Sequence, residues 1–303
     1  MSNIGNPVFG GAPLAREIAD NARRLAAINA TEPPRPARTR VFTISNQKGG
    51  VGKTTTAVNI AAALAAKGLE VLVIDLDPQG NASTALGVEH TEGTPSMYDV
   101  LTGDTSLQDV IRPSSEYKNL KCAPATIDLA GSEIEIVVNR ARDEWNFILR
   151  SAFQKYFAEV ERRPDYVFID CPPSLGILAI NAFVAATEVL IPIQCEYYAL
   201  EGLSQLLKTI NLIQERLNPA LSLSSILLTM YDGRTRLSQA VVEDVRKHFP
   251  DQAMHAVIPR SVRVSEAPSH NQTVISYDRS SQGAISYLEA AIELANRGVQ
   301  LGR

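Results

Sequence analysis

The chain of 303 residues contains only three cysteines, Cys122, Cys171 and Cys195, and they lie far apart in the sequence. Their odd number and wide spacing provide neither a disulfide framework nor a paired C-x-x-C metal motif. Cys171 and Cys195 follow apolar, strand-like runs, so we expect them to pack in the core. The cysteine pattern therefore excludes a disulfide-stapled protein, argues against a cysteine-bound cluster, and fits a reducing compartment.

Long apolar runs are also missing. The longest apolar stretch, residues 177–193, is interrupted by Asn181, Thr187 and Glu188, whereas a membrane-spanning helix needs about 20 predominantly apolar residues. We recognise no secretory signal at the start of the sequence. The C-terminal segment 287–303 has few basic residues, which is typical of a helix packed on its own domain rather than on a lipid surface. We therefore expect a cytoplasmic protein without membrane attachment.

Positive charge is scarce as well. The chain has 29 Lys and Arg against 33 Asp and Glu, a formal net charge of −4. A globally basic surface is therefore excluded, and any nucleic-acid site would have to be a local patch.

What the sequence does contain is a glycine-rich loop. Residues 47–54 read Gln-Lys-Gly-Gly-Val-Gly-Lys-Thr, and they match the phosphate-binding pattern G-x-x-x-x-G-K-[ST] except that Gln47 replaces its first glycine. A strand-like run, Val41–Ser45, precedes the loop, and an alanine-rich run with high helix propensity, Ala57–Ala66, follows it. Glycines in such a setting present backbone N–H groups to phosphate at the start of a helix. The pattern predicts binding of a nucleoside triphosphate.

The loop contains two lysines, although phosphate binding by one chain requires only one. We expect Lys53 to bridge the β- and γ-phosphates and the Thr54 hydroxyl to bind Mg²⁺. The additional cation is Lys48, and the pattern does not say where it points. The other predicted nucleotide-binding residues of the loop are Gly49, Gly50, Val51, Gly52 and Thr55. ATP is favoured over GTP because the sequence has no Asn-Lys-x-Asp motif to read a guanine.

Three aspartates lie at the ends of two further strand-like runs. Leu69–Asp77 ends in Asp75 and Asp77, and Asp165–Cys171 carries Asp170. Because open parallel sheets bind ligands at the carboxyl ends of their strands, we expect these side chains near the metal and the phosphates. Asp170 looks like a Walker B residue that holds Mg²⁺ through water. A strand-end aspartate is also a common turn or capping residue, an alternative that applies most to Asp75.

These motifs carry a family resemblance. Residues 48–55 (KGGVGKTT), 75–81 (DLDPQGN) and 170–174 (DCPPS) resemble the ParA/MinD group of deviant-Walker ATPases, and residues 228–232 and 258–270 resemble its chromosome-partitioning ParA or Soj branch. The five motifs occur in order, and the resemblance covers approximately residues 40–297.

The resemblance implies roles for individual residues. Lys48 would reach across an ATP-sandwich homodimer to the partner's phosphates, and Gly49 would permit the close approach of the two subunits. Asp77 would position the attacking water, so that Lys48, Lys53 and Asp77 form the catalytic set. Pro259, in a later motif, is included among the nucleotide-binding residues.

The resemblance also implies non-specific binding of double-stranded DNA by basic residues in the C-terminal part. Between Tyr231 and Arg263, basic residues exceed acidic ones by two, an excess that alone is more typical of a solvated surface. The candidates are Arg234, Arg236, Arg246, Arg260 and Arg263. One weak patch per chain would bind DNA usefully only when an ATP-dependent dimer joins two of them.

Strand-like and helix-like runs alternate along the chain. They predict a single-domain α/β P-loop NTPase with a mostly parallel twisted sheet and helices on both faces. Further strands are predicted near residues 120–123, 188–193, 224–229 and 254–258, and helices near residues 144–159, 200–217, 238–249 and 284–294. We assign the ATPase domain to residues 41–303.

Residues 1–40 form a net-basic, proline-containing extension with a helix-forming stretch from Leu14 to Ile28. Two interpretations stay open for this extension: a disordered tail, or a regulatory arm that contacts DNA, a partner protein or the second subunit.

The predicted function is an ATP-dependent partitioning protein that segregates chromosome or plasmid origins. Its ATP-bound dimer would coat the nucleoid, and a ParB-type partner would stimulate a slow hydrolysis and release the DNA. Two alternatives remain open. One is a MinD-like or polar-organising ATPase that positions another cargo without binding DNA, and the other is a metabolic P-loop enzyme with a small-molecule acceptor.

Overall fold

A computed structural model describes residues 13–139, 144–197 and 199–300. Its strands are β1 (Arg40–Ile44), β2 (Val71–Asp75), β3 (Arg112–Pro113), β4 (Leu120–Ala123), β5 (Tyr166–Asp170), β6 (Glu188–Gln194), β7 (Ser222–Tyr231) and β8 (Ala253–Pro259). The helices are α1 (Pro13–Ala30), α2 (Lys53–Ala65), α3 (Asn81–Ala85), α4 (Met97–Thr102), α5 (Leu107–Val110), α6 (Leu129–Asn139), α7 (Ile148–Glu159), α8 (Ile177–Ala185), α9 (Ala199–Arg216), α10 (Arg236–His248), α11 (Val262–Glu266), α12 (Val274–Tyr277) and α13 (Gln282–Gln300). Short 3₁₀ turns lie at Trp145–Phe147 and Ala267–His270.

The strands form one sheet in the order β3-β4-β2-β5-β1-β6-β7-β8. All neighbouring strands in it run parallel except the edge strand β3, which is antiparallel to β4. Strand β1 lies between β5 and β6, so the loop that follows it emerges near the middle of the carboxyl edge. In the register of the sheet, Asp170 is level with both Ile44 and Asp75. The ends of three strands therefore meet at one point.

Helices cover both faces of this sheet. The core on one face involves α2, α12 and α13, and the core on the other face involves α4 and α6 to α10. The central strands β1, β2 and β5 are buried along their whole length, which explains why they appear in the sequence as continuous apolar runs. The predicted fold is confirmed. Within the described residues, no helix is both long and apolar enough to cross a bilayer.

The N-terminal extension is helical in its described part and packs on the domain. Helix α1 confirms the predicted helix and lies against α13, where Arg24 donates to the two oxygens of Glu289 at 2.8 and 2.6 Å. The ammonium of Lys67 also donates to the carbonyl oxygen of Ile28 near the end of α1. These contacts hold helix α1 against α13, on the outside of the helix layer that covers one face of the sheet. Residues 1–12 lie outside the described part of the chain.

Arg40, which we placed in the extension, is instead the first residue of β1. It is buried and forms a two-pronged ion pair with the fully buried Glu188 of β6, at 2.7 and 2.8 Å. Its third donor bonds the carbonyl oxygen of Leu294 in α13 at 2.7 Å. The guanidinium also lies over the ring of Phe42, 4.8 Å from the ring centroid. One buried cation therefore joins two central strands to the helix layer.

We predict that Glu188→Ala lowers the free energy of unfolding by about 3–5 kcal/mol, because it leaves Arg40 buried without a counter-charge. Urea unfolding at neutral pH measures the loss. A double variant, Arg40→Met with Glu188→Met, removes both charges and should recover most of the lost free energy of unfolding. A loss below about 1 kcal/mol in the single variant would contradict a stabilising role for the pair.

Candidate functional site

The glycine-rich loop connects the end of β1 to the first turn of α2. Gly50 and Gly52 have φ angles of 75° and 90°, in the left-handed region that side chains disfavour. Gly52 is the N-cap of α2, and no side chain caps it. The first free N–H groups of the helix, from Lys53 through Thr55, therefore remain available to an anion.

Strands β6 and β7 hold this loop in place. The side-chain amide of Asn46 donates to the carbonyl oxygen of Pro192 in β6 at 2.8 Å, and its oxygen accepts from the N–H of Lys48 at 3.0 Å. From β7, the hydroxyl of Thr229 donates to the carbonyl oxygen of Val51 at 2.8 Å. The loop is thus fixed before any ligand binds.

Lys53 lies inside the loop and is almost completely buried, at 7% exposure. Its ammonium donates to the carbonyl oxygen of Lys48 at 3.2 Å. Burial lowers the pKa of Lys53, and the negative charges of Asp170 and Asp77 partly offset this effect. The buried cation has no ion pair within the described residues, so it can balance a phosphate.

Asp170, at the end of β5, is fully buried, and neither of its oxygens has a hydrogen-bond partner in the described structure. Burial raises its pKa well above the usual range, and repulsion from Asp75 raises it further, while the nearby Thr54 hydroxyl acts in the opposite direction. A buried carboxylate without partners is costly unless a cation compensates it. Asp170 and Thr54 supply the oxygen ligands that Mg²⁺ prefers, so these residues fit that ion.

The two other strand-end aspartates differ in their surroundings. Asp75 is fully buried and accepts from the N–H and the hydroxyl of Ser83 at 2.9 and 2.7 Å. Burial raises its pKa to about 6. These contacts give Asp75 a structural role at the start of α3, in agreement with the turn-or-cap alternative. Asp77 is half-buried, and its charge acts on Lys53 across the site.

Lys48 has a different environment from Lys53. Its side chain is 51% exposed, and its ammonium forms an ion pair with Glu196 of the same chain. Glu196 lies two residues beyond the end of β6. Glu196 was not among the residues predicted from the sequence, although a carboxylate just after a predicted strand gives the same signal as Asp75, Asp77 and Asp170.

Gly49 faces open space. A Cβ atom built on it would have no described atom within 4 Å, and its backbone is outside the left-handed region. Neither packing nor conformation within this chain therefore requires a glycine there. Gln47, at the site of the missing first glycine, has a buried amide nitrogen without a hydrogen-bond partner in the described residues.

Pro259 is the last residue of β8 and is paired in register with Tyr231 of β7. Since Thr229 of β7 contacts the loop, this pair continues the carboxyl edge outward from the loop. Met230, which lies between Thr229 and Tyr231 in β7, has a φ of 52°, an uncommon value for a residue other than glycine. Strand β7 thus turns sharply where it leaves the site.

The five candidate arginines do not form one patch. Arg234, Arg236 and Arg260 lie around the carboxyl ends of β7 and β8, whereas Arg246 is in the last turn of α10, about 15 Å along the helix axis from Arg236. Arg246 donates to the carbonyl oxygen of His255 at 2.9 Å. The predicted single cluster is therefore divided.

Two of these arginines are balanced by carboxylates. Arg234 pairs with Asp232 at 2.8 Å and holds the pKa of Asp232 at about 2. Arg263, on α11, lies 3.1 Å from Glu266 and 3.5 Å from Asp278. Arg236 and Arg260 are exposed and form no ion pair within the described part of the chain. They are the best placed of the set to contact an external anion.

Comparison with known proteins agrees with this geometry. A family model described as an AAA domain matches residues 39–223, more than half of the chain. The sporulation initiation inhibitor protein Soj of Bacillus subtilis is 49% identical over 259 residues, 86% of this chain and 99% of that protein. The chromosome partitioning protein ParA of Myxococcus xanthus is 49% identical over 258 residues, 85% of this chain and 88% of that protein.

A solved structure extends the comparison to the fold. It is described as a cobyrinic acid a,c-diamide synthase from Mycobacterium smegmatis with bound ADP and magnesium. It superposes with a TM-score of 0.73 at 38% identity, over 88% of this chain and 97% of that chain. The motifs, the sheet and the relatives agree, and the chain belongs to the ParA/Soj family of chromosome-partitioning ATPases.

Proposed function

We propose that the protein is an ATP-dependent DNA-partitioning ATPase of the cytoplasm and nucleoid. An ATP-sandwich homodimer binds double-stranded DNA without sequence preference. A ParB-type partner then stimulates hydrolysis of ATP to ADP and phosphate, the dimer separates, and the DNA is released. Repetition of this cycle segregates chromosome or plasmid origins.

The observation that carries the proposal is the difference between the two loop lysines. Lys53 is buried beside Asp170 and Asp77, whereas Lys48 is half-exposed and bound to Glu196. The site in one chain already contains one phosphate-balancing cation, so Lys48 is available to another chain. Gly49, beside it, leaves room for close approach of a second surface. Both features are explained by a partner subunit at the loop.

Within one chain, different residues would bind the phosphates, the metal ion and the rest of the nucleotide. The N–H groups from Gly49 to Thr55 surround the phosphates, and Lys53 bridges the β- and γ-phosphates. Thr54 and Asp170, the latter through water, would hold Mg²⁺, which neutralises charge on the transferring phosphate. Pro259, at the outer end of the same edge, is the remaining residue that would contact the nucleotide.

Hydrolysis requires a positioned water and added positive charge. Asp77 is half-buried next to Lys53 and orients the water for attack on the γ-phosphate. Lys48 of the partner subunit would add a second cation where charge develops in the transition state. Since each chain lacks this second cation until it dimerises, hydrolysis is slow in the monomer.

DNA binding depends on joining two weak sites. Arg236 and Arg260 give each chain only a small number of phosphate contacts, which would be feeble at physiological salt. A dimer holds two such sites at a high effective concentration, so ATP controls DNA affinity without touching the DNA.

The alternatives are separated by what stimulates turnover. A MinD-like positioner would dimerise with ATP but would not bind DNA. A small-molecule enzyme, the activity named for the Mycobacterium smegmatis structure, would be stimulated by a metabolite rather than by DNA and a partner protein.

We predict that Lys53→Ala abolishes ATP binding, since it removes the buried cation that balances the phosphates. Titration with a fluorescent ATP analogue measures the affinity. Lys121→Ala, an exposed lysine on β4, is the matched control and should bind like the unmodified protein. Retained affinity in Lys53→Ala would overturn the assignment of the loop.

We predict that Lys48→Ala still binds ATP but no longer forms ATP-dependent dimers in light scattering. Glu196→Gln releases Lys48 from its own chain and should strengthen dimerisation. The unmodified protein must break two exposed ion pairs between Lys48 and Glu196 for each dimer formed. Because the Glu196→Gln variant avoids this cost, its dimerisation affinity should be roughly fivefold higher. ATP-dependent dimers of normal affinity in Lys48→Ala would contradict the role of Lys48 in the partner's site.

We predict that Arg236→Ala combined with Arg260→Ala weakens the binding of ATP-bound protein to DNA duplexes of any sequence. The slope of log affinity against log salt should decrease by about one for each phosphate that the double variant no longer neutralises. Arg246→Ala, at the far end of α10, should have a smaller effect. An unchanged slope in the double variant would exclude both residues from phosphate contact.

A further inference from the structure

The amino edge of the sheet has a cleft of its own, away from the phosphate loop. Residues 36–39, which lead into β1, form one wall, and helix α7 forms another. The phosphate loop follows the opposite end of β1, so the five residues of that strand, roughly 17 Å, separate the loop from the cleft. The cleft has a volume of about 660 Å³, which is within the range of small-molecule pockets.

Three arginines line this cleft, which we call the arginine cleft. Arg38 lies in the N-terminal extension, Arg150 on α7, and Arg163 in the segment before β5. Within the described residues, the guanidinium groups of Arg38 and Arg150 have neither an ion pair nor a hydrogen-bond partner. The Nε of Arg163 donates to the carbonyl oxygen of Phe157 at 2.7 Å, and its two terminal nitrogens stay available. All three cations can therefore accept an external anion.

The carboxylate that lines the arginine cleft is already neutralised. Asp165 accepts from the guanidinium of Arg35 at 2.5 Å and from the N–H of Glu70 at 2.7 Å. Arg35 is not itself part of the lining. The charge of Asp165 is thus balanced from outside the cleft, and the lining is positive although the whole chain has a net charge of −4.

The extension is held in place on both sides of Arg38. The hydroxyl of Thr39 donates to the carbonyl oxygen of Pro164 at 2.7 Å, and Arg35 donates to the carbonyl oxygen of Gly68 at 2.5 Å. These bonds fix the backbone that carries Arg38, so its guanidinium is presented to the cleft at a small cost in conformational entropy.

Helix α7 supplies an apolar floor. Arg150, Phe153 and Phe157 are spaced by three and four residues, which places them on one face of the helix. Phe153 is buried and Phe157 half-buried, and their rings stack with centroids 5.6 Å apart. Cations beside apolar rings are less screened by water than cations on an open surface. Guanidinium groups in such a setting bind phosphate oxygens in a two-pronged manner.

We propose that the arginine cleft binds a small ligand with adjacent phosphate groups, at a site separate from the ATP site. Three guanidinium groups around one cavity match the several oxygens of a diphosphate, whereas one carboxylate would leave part of this charge unbalanced. The bound ligand connects Arg38 of the extension to Arg150 and Arg163 of the domain. Inorganic pyrophosphate and a nucleoside diphosphate share this chemistry, and the base of the latter would also contact the apolar floor.

The first test uses the full chain with one equivalent of a non-hydrolysable ATP analogue and Mg²⁺ at the phosphate loop. Calorimetry then measures the binding of pyrophosphate and, in a separate arm, of GDP. We expect saturable binding that Arg38→Ala combined with Arg150→Ala weakens about tenfold or more, because two charge-assisted contacts are lost. Arg162→Ala is the matched control and should bind normally, since Arg162 is outside the cleft and pairs with Glu70 at 3.2 Å.

The arms of this titration distinguish the sources of the phosphate groups. Tighter binding of GDP than of pyrophosphate would support a nucleoside diphosphate, and equal affinities would support recognition of the phosphates alone. No binding of either probe, or binding that the double variant leaves unchanged, would overturn the proposal. A double variant that loses only DNA affinity, with no binding of either probe to the unmodified protein, would assign these arginines to DNA and overturn it as well.

Trypsin digestion gives a second measurement, which reports on the cleft itself. Arg38 is exposed, and trypsin cleaves the bond between it and Thr39. We expect pyrophosphate to slow this cleavage severalfold, as followed by the mass of the fragment that begins at Thr39. Arg150→Ala keeps the cleavage point and should lose most of the protection. Equal cleavage rates with and without pyrophosphate in the unmodified protein would contradict a ligand that contacts Arg38.

Discussion

The site is organised around the fully buried carboxylate of Asp170, whose two oxygens have no partner in the described residues. Parallel pairing places Asp170 level with Asp75 and with the end of β1, so the cost of burying one carboxylate is increased by a second. Lys53 provides part of the compensation. A divalent cation and its phosphate ligands would complete this balance of charge.

Charge balance also explains why the loop has a second lysine. The site of one chain is already served by Lys53, and Lys48 instead neutralises Glu196 at the rim. An exposed ion pair of this kind contributes little to stability, so in the proposed dimer the exchange of Glu196 for a partner's phosphate would cost little free energy. Gly49 has open surroundings within its own chain, and in the proposed dimer this space would admit the second chain.

Much of the fold and of the nucleotide site could be predicted because both depend on local patterns. The buried strands β1, β2 and β5 are continuous apolar runs, and the loop residues from Gly49 to Thr55 are consecutive. The pairing of Lys48 with Glu196 and the ion pair between Arg40 and Glu188 depend on contacts between distant segments. Composition and spacing do not encode these contacts.

The aspartates show the same limit. Asp75 and Asp170 occupy equivalent strand ends, yet Asp75 bonds to Ser83 and Asp170 has no partner within the described residues. Only the tertiary structure separates the aspartate bound to Ser83 from the candidate metal ligand. The arginines show the limit at one point only. The sequence itself places Asp232 beside Arg234 and Glu266 one helical turn from Arg263, but only the tertiary structure brings Asp278 within 3.5 Å of Arg263.

If each chain holds half of a site, as proposed, two inactive variants should complement each other. Lys48→Ala keeps the phosphate loop but lacks the lysine for its partner, whereas Lys53→Ala offers Lys48 but binds no nucleotide. Each should be inactive alone, and in a mixture the two should form one complete site and hydrolyse ATP severalfold faster than the sum of the separate proteins. Turnover of the mixture equal to that sum would contradict the account.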